Sequence, residues 1–147
     1  MCNPYQRRAS SIALLGIMGS LMHVIFPLTI AVVVSVALLV IGTVYVLSPA
    51  RILGSFGLRP PAQDRDTLAW LRLKGIRDIA SALTVLILMV TTDHRTIGIV
   101  LLTLAIIPFG DMSNVALSGG RRMTAFSVHG VTCAAMICAA LLLLHVL

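Results

Sequence analysis

Charged and aromatic residues are scarce in this chain of 147 residues. Asp, Glu, Lys and Arg together make up 11% of it and aromatic residues 5%, against roughly 25% charged residues in an ordinary soluble domain. Hydrophobic residues make up 59% of the chain and are therefore mostly aliphatic. A soluble domain of this size could not bury so much aliphatic surface, so the composition indicates a protein in contact with a lipid bilayer.

The chain also lacks the short motifs of several large enzyme classes. It contains no Walker loop and no GxGxxG, HExxH or GxSxG element, which are the patterns of nucleotide-binding, zinc-dependent and serine-hydrolase sites. Its three cysteines form no CxxC pair, so neither a disulfide nor a structural metal is indicated. We expect no metal and no cofactor.

The net charge of +6 would suggest nucleic-acid binding in a soluble protein. Here the basic residues lie in short segments between apolar runs, which is typical of loops held on the cytoplasmic side of a membrane. We therefore expect a multi-pass membrane protein, in the cell membrane if the organism is bacterial, with no nucleic-acid partner.

Four apolar segments separated by turn residues predict an all-α fold, a polytopic transmembrane bundle of four core helices. Asp66-Thr67 can cap the second of these helices, and Pro108 with Gly110 interrupts the third. The predicted core helices cover residues 28–47, 67–91, 97–118 and 123–146.

The first apolar tract, from about residue 9 to residue 47, is too long for one crossing of the membrane. As a continuous helix it would measure about 60 Å, twice the hydrocarbon thickness, so we expect it to break at Phe26-Pro27. The chain then divides into an N-terminal hydrophobic segment, 1–27, and a four-helix transmembrane domain, 28–147. Residues 11–26 would form a fifth helix or a signal-like segment.

Loop charge predicts the orientation. The basic residues of 48–75 and Arg121-Arg122 place both loops on the cytoplasmic side, and the turn at 91–96 then faces outside. Arg7-Arg8 would also lie inside if residues 11–26 cross the membrane, so the charge rule favours five crossings.

Ionisable side chains inside membrane spans are costly and by default mark function. Three of the predicted helices carry such groups, and the rise per residue brings four of them to one depth near the cytoplasmic end. Other polar or aromatic side chains lie on the same helix faces, at helical neighbour spacings. The candidates are Arg77, Asp78, Asp111 and His129 for catalysis, and Trp70, Lys74, Ser81, Asn114 and Phe126 for substrate binding.

Four short elements occur in a fixed order: Lys74-Gly-Ile-Arg-Asp78, Ile107-Pro-Phe-Gly-Asp111, Gly119-Gly-Arg-Arg122 and Val128-His-Gly130. With them, the segment from about Leu28 to Leu147 resembles a family of small four-helix membrane proteins of bacteria and fungi known only as a domain of unknown function. The resemblance implies a four-helix fold. It also implies hydrolase or cyclase chemistry as an expectation, because some fungal relatives accompany natural-product pathways.

Three functions fit these features. The charged residues could form an acid/base catalyst for an apolar small molecule, or they could fix the packing of a non-catalytic bundle. A small transporter or proton relay is the third alternative. The outward halves of the helices are nearly free of polar residues, so a transport path would require a homo-oligomer.

The most specific hypothesis is the opening of an epoxide, with cyclisation or isomerisation as related reactions. One group protonates the departing oxygen while another activates water, and two carboxyl groups can divide these roles. Asp111, beside the interrupted turn, is assigned as the acid because burial favours a protonated carboxyl. Asp78 is assigned as the base, held ionised by Arg77, and His129 orients water or shares the proton. The two carboxyl groups must then lie within about 10 Å of each other.

Overall fold

The computed structural model describes the backbone of residues 4–145 and the side chains of residue 19 and residues 22–145. Within that range the regular structure is entirely helical, which confirms the predicted all-α bundle. The helices are α1 (Pro4–Leu47), α2 (Pro49–Ile52), α3 (Arg65–Thr91), α4 (His94–Leu104), α5 (Ile106–Leu117), α6 (Arg122–Thr124), a π-helix (Ala125–Gly130) and α7 (Val131–Leu143).

The first helix runs through Pro27 without interruption, so the predicted break at Phe26-Pro27 is wrong. Proline removes one helical hydrogen bond, and a membrane helix tolerates this loss where neighbouring structure compensates for it. Pro27 is buried in the bundle. The division of the chain into segments 1–27 and 28–147 stays a prediction, as does a separate crossing by residues 11–26.

The other core helices lie close to their predicted positions but differ internally. The predicted helix 97–118 is divided at Ala105 into α4 and α5, because Pro108 has no N–H to donate to the carbonyl of Leu104. The last helix begins with α6 and the π-helix before α7 ends at Leu143. Its predicted end, Val146, lies outside the described residues.

Apolar length identifies the membrane-spanning candidates. In the part of the chain that the structure describes, three helical stretches are long and apolar enough to cross a bilayer: Met22–Leu47, His94–Leu117 and Arg122–Leu143. The helix α3 is also long, but Lys74, Arg77 and Asp78 interrupt its apolar sequence. The bundle therefore fits a lipid bilayer, and α3 carries most of its internal charge.

Two glycines bring the backbones of α1 and α3 into contact. A Cβ atom added to Gly75 would lie 2.6 Å from the carbonyl oxygen of Gly42 and 2.7 Å from the Cβ of Tyr45. A Cβ added to Gly42 would lie 2.8 Å from the carbonyl oxygen of Gly75. Neither position has room for a side chain, and this crossing sets the positions of the residues one turn away on both helices.

The two basic loops lie together at one end of the bundle, as the charge pattern predicted. Gly57 has a positive φ of 97°, and its carbonyl accepts a hydrogen bond of 2.7 Å from the backbone N–H of Arg121. The opposite end carries the turn before α4, where Asp93 caps the helix. The hydroxyl of Thr96 donates to that carboxylate and is the main cause of its lowered pKa. The assignment of the basic end to the cytoplasm stays a prediction.

We expect Gly75→Ala to destabilise the fold, because the added methyl group would meet the backbone of α1. Overpacking of this kind costs about 1–3 kcal/mol. Gly110→Ala is the matched control, since Gly110 is also helical and nothing lies within 4 Å of an added Cβ. Thermal unfolding in detergent should show a lower midpoint for Gly75→Ala alone. Equal midpoints for the two variants would show that the α1–α3 contact is not tight.

Reporter fusions at Asn3 and His94 would determine how often α1 crosses the membrane. A continuous helix does not reverse direction, so we expect both reporters on the same side. Opposite sides would restore the five-crossing arrangement that the loop charges favour.

Candidate functional site

A cavity of about 290 Å³ lies inside the bundle, close to the lower limit of about 300 Å³ for ligand pockets. It is bordered by two helix pairs: α1 packs mainly on α3, and α5 packs mainly on the π-helix. Most of its polar lining lies near the basic loops, and mainly apolar side chains, together with Ser35 and Thr132, line the remainder. The polar lining residues include Tyr45, Ser55, Lys74, Asp78, Asp111 and His129.

A cluster of four charged side chains lies at the polar end. Asp78 accepts a hydrogen bond of 2.8 Å from Nζ of Lys74 and one of 3.2 Å from Nη2 of Arg77. Oδ2 of Asp111 lies 3.7 Å from Lys74 Nζ and 3.8 Å from Arg77 Nη2. Two carboxyl groups from different helices therefore share the same two cations, and we call these four residues the charge cluster.

The geometry meets the distance requirement for a pair of carboxyl groups. An oxygen of each carboxyl lies within 4 Å of the same atom, Nζ of Lys74. The two groups are therefore closer than the limit of about 10 Å beyond which they could not flank one reacting centre.

The structure reverses the expected burial of the two carboxyl groups. The side chain of Asp78 is 3% exposed and that of Asp111 is 20% exposed. Asp78 lies three residues after Gly75, on the face of α3 that packs against α1, whereas α5 does not pack closely on that helix pair. The premise that burial makes Asp111 the acid is therefore wrong.

Two aromatic rings contact the lysine of the cluster. Lys74 Nζ lies 5.1 Å from the ring centroid of Tyr45 and 5.0 Å from that of Phe56, within the range of cation–π attraction. Neither aromatic residue was among the candidates predicted from the sequence. Their rarity was the available signal: the chain has only two tyrosines and four phenylalanines, and Tyr45 precedes the first basic loop while Phe56 lies within it.

His129 lies in the π-helix and lines the same cavity. Its Nε2 lies 3.2 Å from the carbonyl oxygen of Phe56. Because a carbonyl only accepts hydrogen bonds, Nε2 must carry a proton, which leaves Nδ1 as an acceptor in the neutral ring. Among the described residues, His129 makes no hydrogen bond to either carboxyl group, so it joins the cavity wall without joining the charge cluster.

The predicted substrate-binding residues separate into two groups. Lys74 and Ser81 line the cavity, and the Ser81 hydroxyl donates to the carbonyl of Arg77. Trp70, Asn114 and Phe126 are exposed and do not line it, and their role in substrate binding stays a prediction. Trp70 and Asn114 lie a turn closer to the ends of their helices, and the wider turn of the π-helix moves Phe126 away from the face of His129.

Metal binding has no structural support in the described part of the chain. No group of three or more His, Cys, Asp or Glu side chains there could hold a metal ion. The charge cluster and His129 have the groups needed for hydrogen bonding and proton transfer.

We expect Asp78→Asn to destabilise the protein more than Asp111→Asn. Losing the buried Asp78 removes the closest partner of both cations. Breaking a fully buried pair typically costs about 3–5 kcal/mol, and because the side chains of Lys74 and Arg77 are 20% and 46% exposed, we expect a smaller loss here. Asp111 is more exposed and makes longer contacts, so its loss should cost less. Thermal unfolding of the two variants in the same detergent measures the difference, and a larger loss for Asp111→Asn would contradict this account of the cluster.

Comparison with known proteins identifies a matching family model. A search of curated proteins finds no match to the chain, and a search of solved structures finds none. A family model does match, over residues 35–143, which include the whole charge cluster and His129. The chain thus belongs to the family described as "Domain of unknown function (DUF4267)".

Proposed function

We propose that this protein is a membrane-embedded acid/base catalyst that acts on an apolar small molecule. The observation that carries the proposal is the charge cluster at one end of an otherwise apolar cavity. Such a site can hold an apolar molecule with its reactive group beside proton donors and acceptors. Epoxide opening by water is the reaction that best uses this set of groups.

Asp111 is the group best placed to activate water. It accepts no hydrogen bond from the residues that the structure describes, and its side chain is 20% exposed. A carboxylate with free lone pairs can accept a proton from a water molecule in the cavity. This role replaces the acid role that the sequence suggested for Asp111.

Lys74 is the group best placed to protonate the departing oxygen. One of its three N–H donors is used by Asp78 at 2.8 Å, and the ammonium group also lines the cavity. In the proposed step, a water oxygen forms a bond to an epoxide carbon while the carbon–oxygen bond of the ring breaks. The proton of water passes to Asp111, and the alkoxide takes a proton from Lys74, which gives a diol.

The same geometry supports the return of the enzyme to its starting state. Asp111 and Lys74 are 3.7 Å apart, so the carboxyl proton can pass back to the amine through one water, or directly after a small approach of the two side chains to hydrogen-bonding distance. Asp78 and Arg77 hold Lys74 and Asp111 in place in this scheme. The neutral ring of His129 can orient the attacking water through Nδ1.

The test measures conversion of epoxyoctane to octanediol by the purified protein in lipid nanodiscs, with oxygen-18 water as the source of the added oxygen. We expect Asp111→Asn to lower the rate by about a hundredfold or more, as for the loss of a general base. Asp66→Asn is the matched control, because Asp66 is an exposed carboxyl in the first turn of α3. Equal rates for wild type and Asp111→Asn, or no diol from wild type above the background rate, would contradict the proposal.

A non-catalytic role as a packing device is the second candidate. It is favoured by one observation: Asp111 connects α5 to α3 through two ion pairs, and polar contacts between membrane helices can fix packing. On this alternative, a folded protein with both Asp78→Asn and Asp111→Asn keeps its full cellular function. The cavity beside the cluster favours catalysis, because helix packing alone does not require it.

A further inference from the structure

The charges of the cluster cancel, and this property limits what the cavity can bind. Lys74, Asp78 and Asp111 line the cavity, and Arg77, which does not line it, supplies the second positive charge through its contacts with both carboxyl groups. All four charges are joined by contacts of less than 4 Å, and the other described lining residues carry no formal charge when His129 is neutral. A ligand with a net charge would therefore find no opposite charge that is not already paired.

The remainder of the cavity wall further raises the free-energy cost of binding a charged ligand. Away from the cluster its walls are mainly apolar and include Val85, Leu101 and Met136, all of which are buried. The polar side chains there, Ser35 and Thr132, are uncharged. An unpaired charge in such surroundings is strongly disfavoured, whereas one hydrogen-bonding oxygen can be satisfied at the polar end.

The lining also indicates how a ligand enters. Val33 of α1 is 61% exposed and Val128 of the π-helix is 50% exposed, yet both side chains also line the cavity. The cavity therefore borders the lipid-facing surface of the bundle at these two positions. A molecule dissolved in the membrane can reach the cavity there without passing through water.

We infer that the ligand of this cavity is an uncharged amphiphile, with an aliphatic body and one neutral oxygen group such as a hydroxyl, carbonyl or epoxide. This inference rests on the proposed function, because it takes the cavity to be the substrate site of the proposed catalyst. It adds that fatty acids, anionic phospholipids and amines are excluded by their net charge.

The test uses three photoreactive probes of equal chain length, diazirine derivatives of octanol, octanoate and octylamine. Wild-type protein in nanodiscs is labelled at about pH 8, where an imidazole is neutral and an alkylamine is charged. Mass spectrometry then locates the label on α1, α3 or α7 peptides. We expect the alcohol to label the cavity at least about tenfold more than either charged probe.

Two substitutions make the charge rule testable in both directions. Asp111→Asn gives the cluster a net positive charge and should bring the octanoate probe into the cavity. Arg77→Gln gives a net negative charge and should favour the octylamine probe instead. Asp66→Asn and Arg72→Gln change the charge of the whole chain in the same way, but both residues are exposed and lie outside the cavity, so they should leave the order of the probes unchanged.

Several outcomes would overturn the inference. The inference is overturned if octanoate or octylamine labels the wild-type cavity as strongly as octanol does. It is also overturned if the order of probe labelling is unchanged in both cluster variants, provided that thermal unfolding shows that at least one of them folds. The proposed catalysis is tested separately. Labelling that follows the charge rule without diol formation would leave the inference in place and remove the catalytic step, and the reverse pattern would remove the inference alone.

Discussion

A carboxylate that is almost completely buried in a lipid-embedded bundle requires compensating charge, and much of the arrangement follows from that requirement. Asp78 is 3% exposed, and an ionised group in such surroundings is stable only when it is paired and hydrogen-bonded. Lys74 and Arg77 provide the pairing from the same helix. The crossing of α1 at Gly75 brings Tyr45 against Lys74, so the glycine contact and the charge cluster form one unit.

The parts of the fold that the sequence predicted are those that depend on hydrophobic length and loop charge. Helix class and the common location of the two basic loops follow directly from these patterns. The start of α3 does not: it lies at Arg65 with Asp64 as the N-cap, two residues before the predicted cap at Asp66. The break at Phe26-Pro27 was wrong: α1 is continuous through Pro27, which is buried in the bundle, and a membrane helix can tolerate the loss of the one hydrogen bond that proline removes. A rule based on one residue cannot weigh that surrounding structure.

The candidate site was predicted in its charged residues and not in its aromatic ones. Helical rise gives depth along a helix, and depth was enough to bring Asp78 and Asp111 together. It gives no information on which side chains of a loop fold back, so Phe56 was missed. Trp70 and Phe126 were predicted as substrate-binding residues because they share a helix face with charged residues. A shared helix face does not place a side chain in the cavity, and neither residue lines it.

The π-helix at Ala125–Gly130 has a consequence for the comparison of related sequences. A π-helical turn holds one residue more than an α-helical turn, so its origin can be described as a single inserted residue in a regular helix. Helical periodicity measured before this segment is therefore out of phase with the periodicity of α7. A relative without the inserted residue would need a one-residue gap within this segment when it is aligned with this chain. In the last helix of that relative, the side chain that faces the cavity would then come from a different alignment column than it does in this chain.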